Sequence, residues 1–175
     1  NSLKERMRSQ VPDGTWRSGM KILGTGLDGL VGSRVTELLK DKHQFENLSI
    51  ATGVDITDRE NILEKIRNSD AQIVLHMAAK TNVDDCQKNP EEAYRINTLG
   101  TENIARSCNR YNSTLFFISS SAIFRGTKKG YTEEDKPNPI NIYGRSKFLA
   151  EKKIQAITKK YYILRAGWII GGGVH

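Results

Sequence analysis

The sequence predicts an α/β protein in which a doubly wound parallel sheet is covered by helices on both faces. Five short apolar runs, typical of buried strands, alternate with four stretches whose apolar residues recur at helical spacing. This alternation favours parallel pairing, because a crossover between parallel strands needs a connection as long as a helix. The 175 residues suffice for one domain with a core. The predicted strands are 20–25, 48–52, 72–77, 114–119 and 161–166, and the predicted helices are 29–40, 58–67, 89–110 and 143–157.

Start signals support the elements of the first half. Residues 20–25 (MKILGT) run from a strand into a glycine-rich turn and a helix. Residues 48–52 form a short second strand, and residues 57–60 (TDRE) match a capping box that begins the next helix. Residues 72–77 (QIVLHM) are apolar enough for a buried third strand.

The second half continues the alternation. Asn89 and Pro90, followed by two acids, are typical of an N-cap and the first helical position, and they open a helix that extends to about Arg110. Residues 114–119 (TLFFIS) form the fourth strand. A loop rich in glycine, proline and charge, 124–141, precedes the last helix and the fifth strand.

The charge and the termini exclude several classes of protein. The net charge of +7 is scattered and forms no stripe with interleaved aromatic residues, so a nucleic acid is not an expected partner, whereas a small anionic ligand is. No apolar run approaches the ~20 residues that span a bilayer, and residues 1–19 lack the apolar region of a secretory signal. We expect residues 1–19 to be a tail or cloning remnant, residues 20–175 to be the folded domain, and the protein to be cytoplasmic and not membrane-bound.

The glycine turn is the first candidate site. Gly26, Gly29 and Gly32 follow a strand and open a helix. Gly26 would allow the tight turn, Gly29 the close approach of a pyrophosphate, and Gly32 the close packing of helix and strand. Three glycines in an ordinary turn are the alternative, but the strand–turn–helix context favours dinucleotide binding.

The second candidate site would hold the adenosine. An acid at the end of the second strand favours NAD, and residues 48–52 end without one, so NADP(H) is favoured over NAD(H), with Arg34 as a partner for the 2′-phosphate. If Thr57 caps the next helix, Asp55 is free to accept from the adenine amino group while Ile56 packs on the ring. Alternatively, Asp55 is itself a turn or cap residue.

The third candidate site is the pair Tyr143 and Lys147. At positions i and i+4 of a helix, the two side chains share a face. An ammonium group beside a phenol should lower the pKa of the phenol from its usual value of ~10 and make it a usable acid or base. A chance surface pair is the alternative.

Three serines end the fourth strand. Parallel sheets bind ligands at the carboxyl ends of their strands, where a hydroxyl of residues 119–121 could polarise a substrate carbonyl, although an ordinary turn explains serines equally well. The three histidines do not cluster, and neither a zinc-ligand spacing nor GxSxG occurs, so neither a metal site nor a Ser-His-Asp hydrolase is predicted. Cys86 and Cys108 are interpreted as packing residues.

Together, these features resemble the extended short-chain dehydrogenase/reductase family. Three strings resemble its dTDP-4-dehydrorhamnose reductases in particular: residues 78–84 (AAKTNVD), 131–147 (YTEEDKPNPINIYGRSK) and 164–168 (LRAGW). The resemblance implies a Rossmann-like fold, an NADP(H) or NAD(H) cofactor and a nucleotide-sugar substrate. The cofactor contacts that it implies, together with those from the motifs, are Gly26, Gly29, Leu30, Val31, Gly32, Asp55, Ile56, Ala79, Lys80, Thr81, Tyr143 and Lys147.

The resemblance also implies roles in catalysis. Tyr143 would donate a proton, Ser120 would hydrogen-bond the same substrate oxygen, and Lys147 would hold the nicotinamide ribose and tune the tyrosine. Ser121 and Trp168 would meet the sugar. The implied reaction is reduction of the 4-keto group of a dTDP-linked deoxysugar.

Two alternatives stay open. The serine run is similar to that of nucleotide-sugar 4-epimerases and dehydratases, and a relative of these reductases is a non-catalytic, dinucleotide-binding regulatory subunit. Because residues 20–175 resemble only the cofactor-binding part of the family, we expect a truncated chain that lacks most of the sugar pocket and turns over poorly. The oligomeric state, including a homo-oligomer, is left open.

Overall fold

Five parallel strands form one sheet in a computed structural model that describes residues 19–170. Their order across the sheet is second, first, third, fourth, fifth. The predicted parallel sheet is therefore confirmed. In chain order, the strands are β1 Lys21–Thr25, β2 Gln44–Leu48, β3 Ile73–His76, β4 Thr114–Ser120 and β5 Tyr161–Ala166.

The helices cover both faces of this sheet. Since β2 and β3 lie on opposite sides of β1, right-handed crossovers place the first and second helices on opposite faces. The fifth helix contacts both the second and the sixth on a single face. The helices are α1 Leu30–Leu39, α2 Arg59–Ser69, α3 Val83–Lys88, α4 Pro90–Tyr94, α5 Thr101–Tyr111 and α6 Ile142–Ile157.

The core lies between the sheet and α2, α5 and α6. Each strand from β1 to β4 contributes at least one buried apolar side chain, and these meet isoleucines from the helices. Complete burial of one such side chain contributes about 1.5–3 kcal/mol, so this layer supplies most of the stabilisation. Its largest members are Leu23, Leu48, Val74, Leu115, Phe117, Ile62, Ile66, Ile104 and Ile154.

The predicted position of the second strand is wrong. The strand is Gln44–Leu48, and most of the predicted segment forms a 3₁₀ turn, Ile50–Thr52. β2 is an edge strand in which Gln44 and Glu46 are exposed, so its sequence alternates and is not continuously apolar.

The predicted capping box of α2 is also wrong. Asp58, not Thr57, is the N-cap, and its carboxylate accepts a hydrogen bond from the Asn61 N–H at 3.1 Å. Thr57 instead donates its backbone N–H to Asp55 at 2.8 Å.

The predicted helix 89–110 contains an irregularity. A π-helical segment, Arg95–Gly100, joins α4 to α5, and it holds the buried Asn97. The short helix α3 precedes it and was not predicted. Cys86 in α3 and Cys108 in α5 are buried and unpaired, which confirms them as packing residues.

The expectations for the termini are not tested. Apart from Gly19, the predicted tail lies outside the described residues, as do residues 171–175. Within residues 19–170, no helix combines the length and the apolar character that crossing a bilayer requires.

Gly32→Ala should destabilise the fold. A Cβ atom at Gly32 would lie 2.2 Å from the Gly26 carbonyl oxygen and 2.5 Å from the Leu27 Cα, and neither backbone atom can move independently of the turn. We expect the free energy of unfolding, measured by urea denaturation, to fall by about 2 kcal/mol or more. Ser33→Ala, at the next position of α1, should change it by less than about 0.5 kcal/mol. Equal effects of the two substitutions would contradict the close packing.

Candidate functional site

The candidate site lies at the carboxyl edge of the sheet, where the segments after β1, β3 and β4 meet the start of α6. The glycine turn after β1 forms one wall. Gly26 has a left-handed conformation (φ +72°), and a Cβ atom there would lie 2.8 Å from the Ala78 nitrogen in the segment after β3. Gly26 and Gly32 are therefore required by the backbone itself, irrespective of any ligand.

Gly29 differs from these two glycines. It is exposed, it has an ordinary extended conformation (φ −77°, ψ 173°), and a Cβ atom there would meet only the Gly26 carbonyl oxygen, at 3.3 Å. A side chain at this position would require the Gly26 carbonyl to move by only a few tenths of an ångström. The absence of one keeps the start of α1 open.

The N-terminus of α1 has no side-chain cap and no acid in its first turn. α2, α3 and α6, in contrast, begin with capping side chains, from Asp58, Asn82 and Asn141. The N–H groups of the first turn of α1 therefore lack intrahelical acceptors, and the helix dipole adds partial positive charge. This start of α1, around Leu30 and Val31, fits a diphosphate.

Asp55 and Ile56 lie after the 3₁₀ turn that follows β2. Contrary to the prediction, Asp55 is not free, because its carboxylate accepts a hydrogen bond from the Thr57 N–H. This hydrogen bond holds the pKa of the carboxyl below its usual value. The carboxylate also lies 3.8 Å from Arg95 Nη1. The same guanidinium donates to the Thr57 hydroxyl at 2.7 Å. Ile56 is buried in the core, against Gly100.

The end of β2 lacks an acid in the structure too. Ser49 follows the strand, and its hydroxyl is enclosed without a hydrogen-bond partner among the described residues. Arg34 lies on α1, where it is exposed and bonded to Glu37 at 2.6 Å.

Residues 79–81 follow β3 along the same edge of the sheet. Ala79 is half-buried and Thr81 exposed, whereas the Lys80 ammonium is held between Asp85 and Glu92. These two carboxylates raise the pKa of Lys80 above its usual range. The charge of Lys80 is therefore neutralised locally and is not directed into the site.

Asn97, which the sequence analysis missed, holds this segment in place. Its side chain accepts from the Lys80 N–H at 2.8 Å and donates to the Lys80 carbonyl at 3.0 Å. It also donates to the Ser146 hydroxyl of α6 at 3.0 Å. In the sequence, an asparagine within a helical pattern was the only signal for this role.

His76 was also missed, and it connects the strands below the site. Its Nδ1 lies 2.7 Å from the Thr25 hydroxyl and its Nε2 lies 2.9 Å from the Thr101 hydroxyl. Because Thr101 donates its own hydrogen to the Asn97 carbonyl at 2.7 Å, His76 must donate from Nε2 and accept at Nδ1. Burial lowers the pKa of His76 to about 3, which keeps the ring neutral.

Ser120 and Tyr143 lie close together, and the Ser120 hydroxyl is hydrogen-bonded to the phenol. Ser120 ends β4 and Tyr143 stands in the first turn of α6. A Cβ atom at Gly144 would lie 2.2 Å from the Ala122 carbonyl oxygen, so the glycine lets α6 pack directly on the turn Ser121–Ile123 that follows β4.

The predicted decrease in the pKa of Tyr143 is wrong. Burial raises the pKa of the phenol, and the Ser120 hydroxyl offsets this rise only in part. Lys147 does not oppose the rise because it is itself buried, which lowers its pKa from 10.5 to about 7. Its Nζ lies 4.0 Å from the centre of the Phe117 ring.

The predicted sugar contacts lie beside this cluster. Ser121 is exposed and faces Gly167, and Trp168 is 97% exposed after β5. Two grooves of about 360 and 230 Å³ lie near Glu46 and Ser69 at the opposite edge of the sheet. Among residues 19–170, no group of His, Cys, Asp or Glu is arranged to hold a metal ion.

Comparison with known proteins relates this arrangement to one family. Residues 20–174 match the model described as the RmlD substrate binding domain. The chain is 31% identical over 153 residues to dTDP-4-dehydrorhamnose reductase of Aggregatibacter actinomycetemcomitans, a match that covers 86% of this chain and 52% of the relative. The chain spans about half the length of the curated relatives it matches.

Solved structures share the fold. The dTDP-4-dehydrorhamnose reductase of Bacillus anthracis str. Ames, in complex with NADP, superposes with a TM-score of 0.85 and 30% identity over 90% of this chain and 56% of that chain. The UDP-glucose 4-epimerase of Thermus thermophilus, in complex with NAD, superposes with a TM-score of 0.74 and 27% identity over 83% of this chain and 54% of that chain.

The buried Lys147 should make stability depend on pH. Between about pH 7 and 10.5, the unfolded chain keeps a proton at Lys147 that the folded chain has released, so the free energy of unfolding should increase with pH in this window. The increase attributable to Lys147 is at most about 1.4 kcal/mol per pH unit.

Urea denaturation of the wild type and of Lys147→Met at pH 7.5, 8.5 and 9.5 isolates this contribution, because the other titrating groups are common to both proteins. As the pH rises, the free energy of unfolding of the wild type should increase relative to that of Lys147→Met. A difference that is constant with pH would show that Lys147 titrates normally.

Proposed function

The chain belongs to the family described as the RmlD substrate binding domain, and from this membership we propose that it is the dinucleotide-binding part of an NAD(P)H-dependent reductase of nucleotide-linked keto sugars. The substrate that the relatives' names favour is dTDP-4-dehydrorhamnose, whose 4-keto group would be reduced to give dTDP-L-rhamnose. The observation that carries the proposal is the position of Ser120, Tyr143 and Lys147 on the same edge of the sheet as the open start of α1.

The start of α1 would bind the cofactor's diphosphate. Gly29 would allow its close approach, and the N–H groups of Leu30 and Val31 would donate to its oxygens. Residues 79–81, held by Asn97, would line the middle of the cofactor through backbone groups and small side chains. Asp55, oriented by the Thr57 N–H, would accept from the adenine amino group.

Tyr143 would supply the proton. When bound, the cofactor supplies the hydride that reduces the keto carbon. A phenol is protonated at neutral pH, and burial, which raises the pKa of Tyr143, reinforces this state. Tyr143 would therefore hold the proton that the substrate oxygen needs as its negative charge develops. Ser120 would donate a hydrogen bond to the same oxygen and stabilise that charge.

The same residues support NADP(H) as the preferred cofactor. The end of β2 carries no acid, which would repel a 2′-phosphate. Arg34 could reach this phosphate only by leaving Glu37, to which it is bonded at the surface.

A 4-epimerase is the second candidate. The run of serines at residues 119–121 and the fold shared with a UDP-glucose 4-epimerase in complex with NAD support it. An epimerase must regenerate its cofactor within each cycle, so tightly bound NAD in the purified protein would favour this function. Dinucleotide binding without turnover in the full-length protein would favour a regulatory subunit.

Gly29→Asp should stabilise the fold and weaken NADPH binding. An aspartate at an N-cap in the extended conformation accepts from the first-turn N–H groups, so we expect the free energy of unfolding to rise by about 0.5 kcal/mol. The same carboxylate would occupy and repel the diphosphate site, so the Kd for NADPH, measured by isothermal titration calorimetry, should rise by more than about tenfold. Gly29→Ala, which adds no charge, should weaken binding far less. Unchanged NADPH binding in Gly29→Asp would show that the dinucleotide does not use this helix.

Tyr143→Phe should abolish turnover and preserve binding. The substitution removes only the phenolic hydroxyl, so the rate of NADPH oxidation with dTDP-4-dehydrorhamnose should fall by about 10²–10⁴-fold while the Kd for NADPH stays within about twofold. The assay follows absorbance at 340 nm and uses the protein expressed from its whole gene. Phe148→Leu, at a half-buried aromatic residue of the same helix, controls for packing. Full activity in Tyr143→Phe would contradict the proton-donor role.

A further inference from the structure

A buried ion pair lies one turn of α6 beyond Lys147. Glu151 is 1% exposed, and both of its carboxylate oxygens accept from Arg165 of β5, at 3.1 Å from Nε and 2.8 Å from Nη2. Arg165 also donates to the Glu133 carbonyl at 3.4 Å and lies over the Phe124 ring at 5.3 Å. Contacts on three sides therefore hold the Arg165 guanidinium in place, and the guanidinium holds the Glu151 carboxylate.

This pair continues the line of functional groups on α6. Tyr143, Lys147 and Glu151 follow one another at intervals of four residues, so they share one face of the helix. Lys147 is 2% exposed, and its Nζ stacks on Phe117 without an acceptor among the described residues. Glu151 is the carboxylate whose charge favours the ammonium form of Lys147.

The other titratable groups around Lys147 carry no negative charge at neutral pH. His76 of β3 faces the lysine and is neutral, with its proton on Nε2. Tyr143 of α6 is protonated, and so is Cys86 of α3, which lies near Tyr143. The Glu151 carboxylate thus interacts with two cationic side chains, Lys147 and Arg165, in a region of low dielectric constant.

Arginine and lysine compete unequally for that carboxylate. Arg165 engages both oxygens with a planar fork and does not release its proton in proteins, so it keeps its charge. Lys147 binds its proton less tightly than Arg165 does, and its contact with the Glu151 carboxylate is less direct. Lys147 is therefore the residue that loses its charge.

We propose that Glu151 and Arg165 act as a positioning pair that sets the charge on Lys147: the carboxylate favours the ammonium form, and the arginine, by engaging both oxygens, limits that effect. The consequence is a lysine that gains or loses its proton close to neutral pH. This inference rests on the proposed function only in assigning a cofactor to Lys147, because the charge on the lysine can be measured without any ligand.

The test is an NMR titration of the ligand-free chain with [13Cε]lysine, in which the Lys147 signal is identified by its loss in Lys147→Arg. In Glu151→Gln, the midpoint for Lys147 should fall by about one pH unit or more from its value of about 7. A structural role alone predicts the opposite, since loosening the helix would admit water and return the lysine towards its ordinary pKa. An unchanged or raised midpoint overturns the proposal.

Two variants of Arg165 keep the test decisive if Glu151→Gln does not fold. Arg165→Met removes the competing cation and should raise the Lys147 midpoint, whereas Arg165→Lys keeps the charge and should leave it within about half a pH unit. An equal rise in both variants would indicate loosening of the helix and would overturn the proposal, as would no rise in Arg165→Met.

A parallel measurement separates this inference from the proposed function. If Lys147 holds the cofactor, the pH at which NADPH affinity declines should move in the same direction as the NMR midpoint in each variant. Midpoints that move as expected while NADPH binding stays constant would support the charge-setting pair and contradict the role of Lys147 in cofactor binding.

Discussion

The candidate site depends on a chain of buried hydrogen bonds that passes through His76. The chain starts at the Ala78 N–H, which donates to the Thr25 hydroxyl, and it ends at the Asn97 carbonyl. Every donor in it has one acceptor, so the direction of each bond is fixed and the imidazole has a single tautomer. In a region of low dielectric constant, losing one member would leave its neighbours unsatisfied, at a cost of about 1–3 kcal/mol each. The ends of β1 and β3 and the π-helical segment are thereby held in one arrangement.

Asn97 connects this arrangement to α6. Its carbonyl ends the histidine chain, while its side chain binds both backbone groups of Lys80 and the hydroxyl of Ser146. Asn97 and Thr101 are four residues apart, so both lie on the buried face of this helical stretch. The backbone carbonyl and the side chain of Asn97 can therefore be used at the same time.

Periodicity predicted most of the fold, and the errors have physical causes. The fifth strand and the last helix were predicted almost to the residue because both have strong apolar patterns and clear boundaries. β2 was misplaced because this edge strand contains only two apolar residues, Phe45 and Leu48, among polar ones, a pattern that a search for continuous apolar runs does not detect. Glycine spacing located the turn after β1, but it did not distinguish Gly29, which leaves the helix open, from the two glycines that the backbone requires.

The electrostatics of the site could not be predicted from residue spacing. The spacing of Tyr143 and Lys147 correctly places them on one face of α6, but the sign of the pKa change depends on burial, which only the tertiary structure provides. The other cations near the site are engaged as well: Lys80 by two carboxylates, and Arg95 by Asp55 and Thr57. The positive potential available to an anionic ligand therefore comes mainly from the backbone N–H groups of α1. Such dipoles keep their orientation and do not titrate, so they can hold a diphosphate at any pH at which the sheet is folded. The pH dependence of the site therefore comes from Lys147.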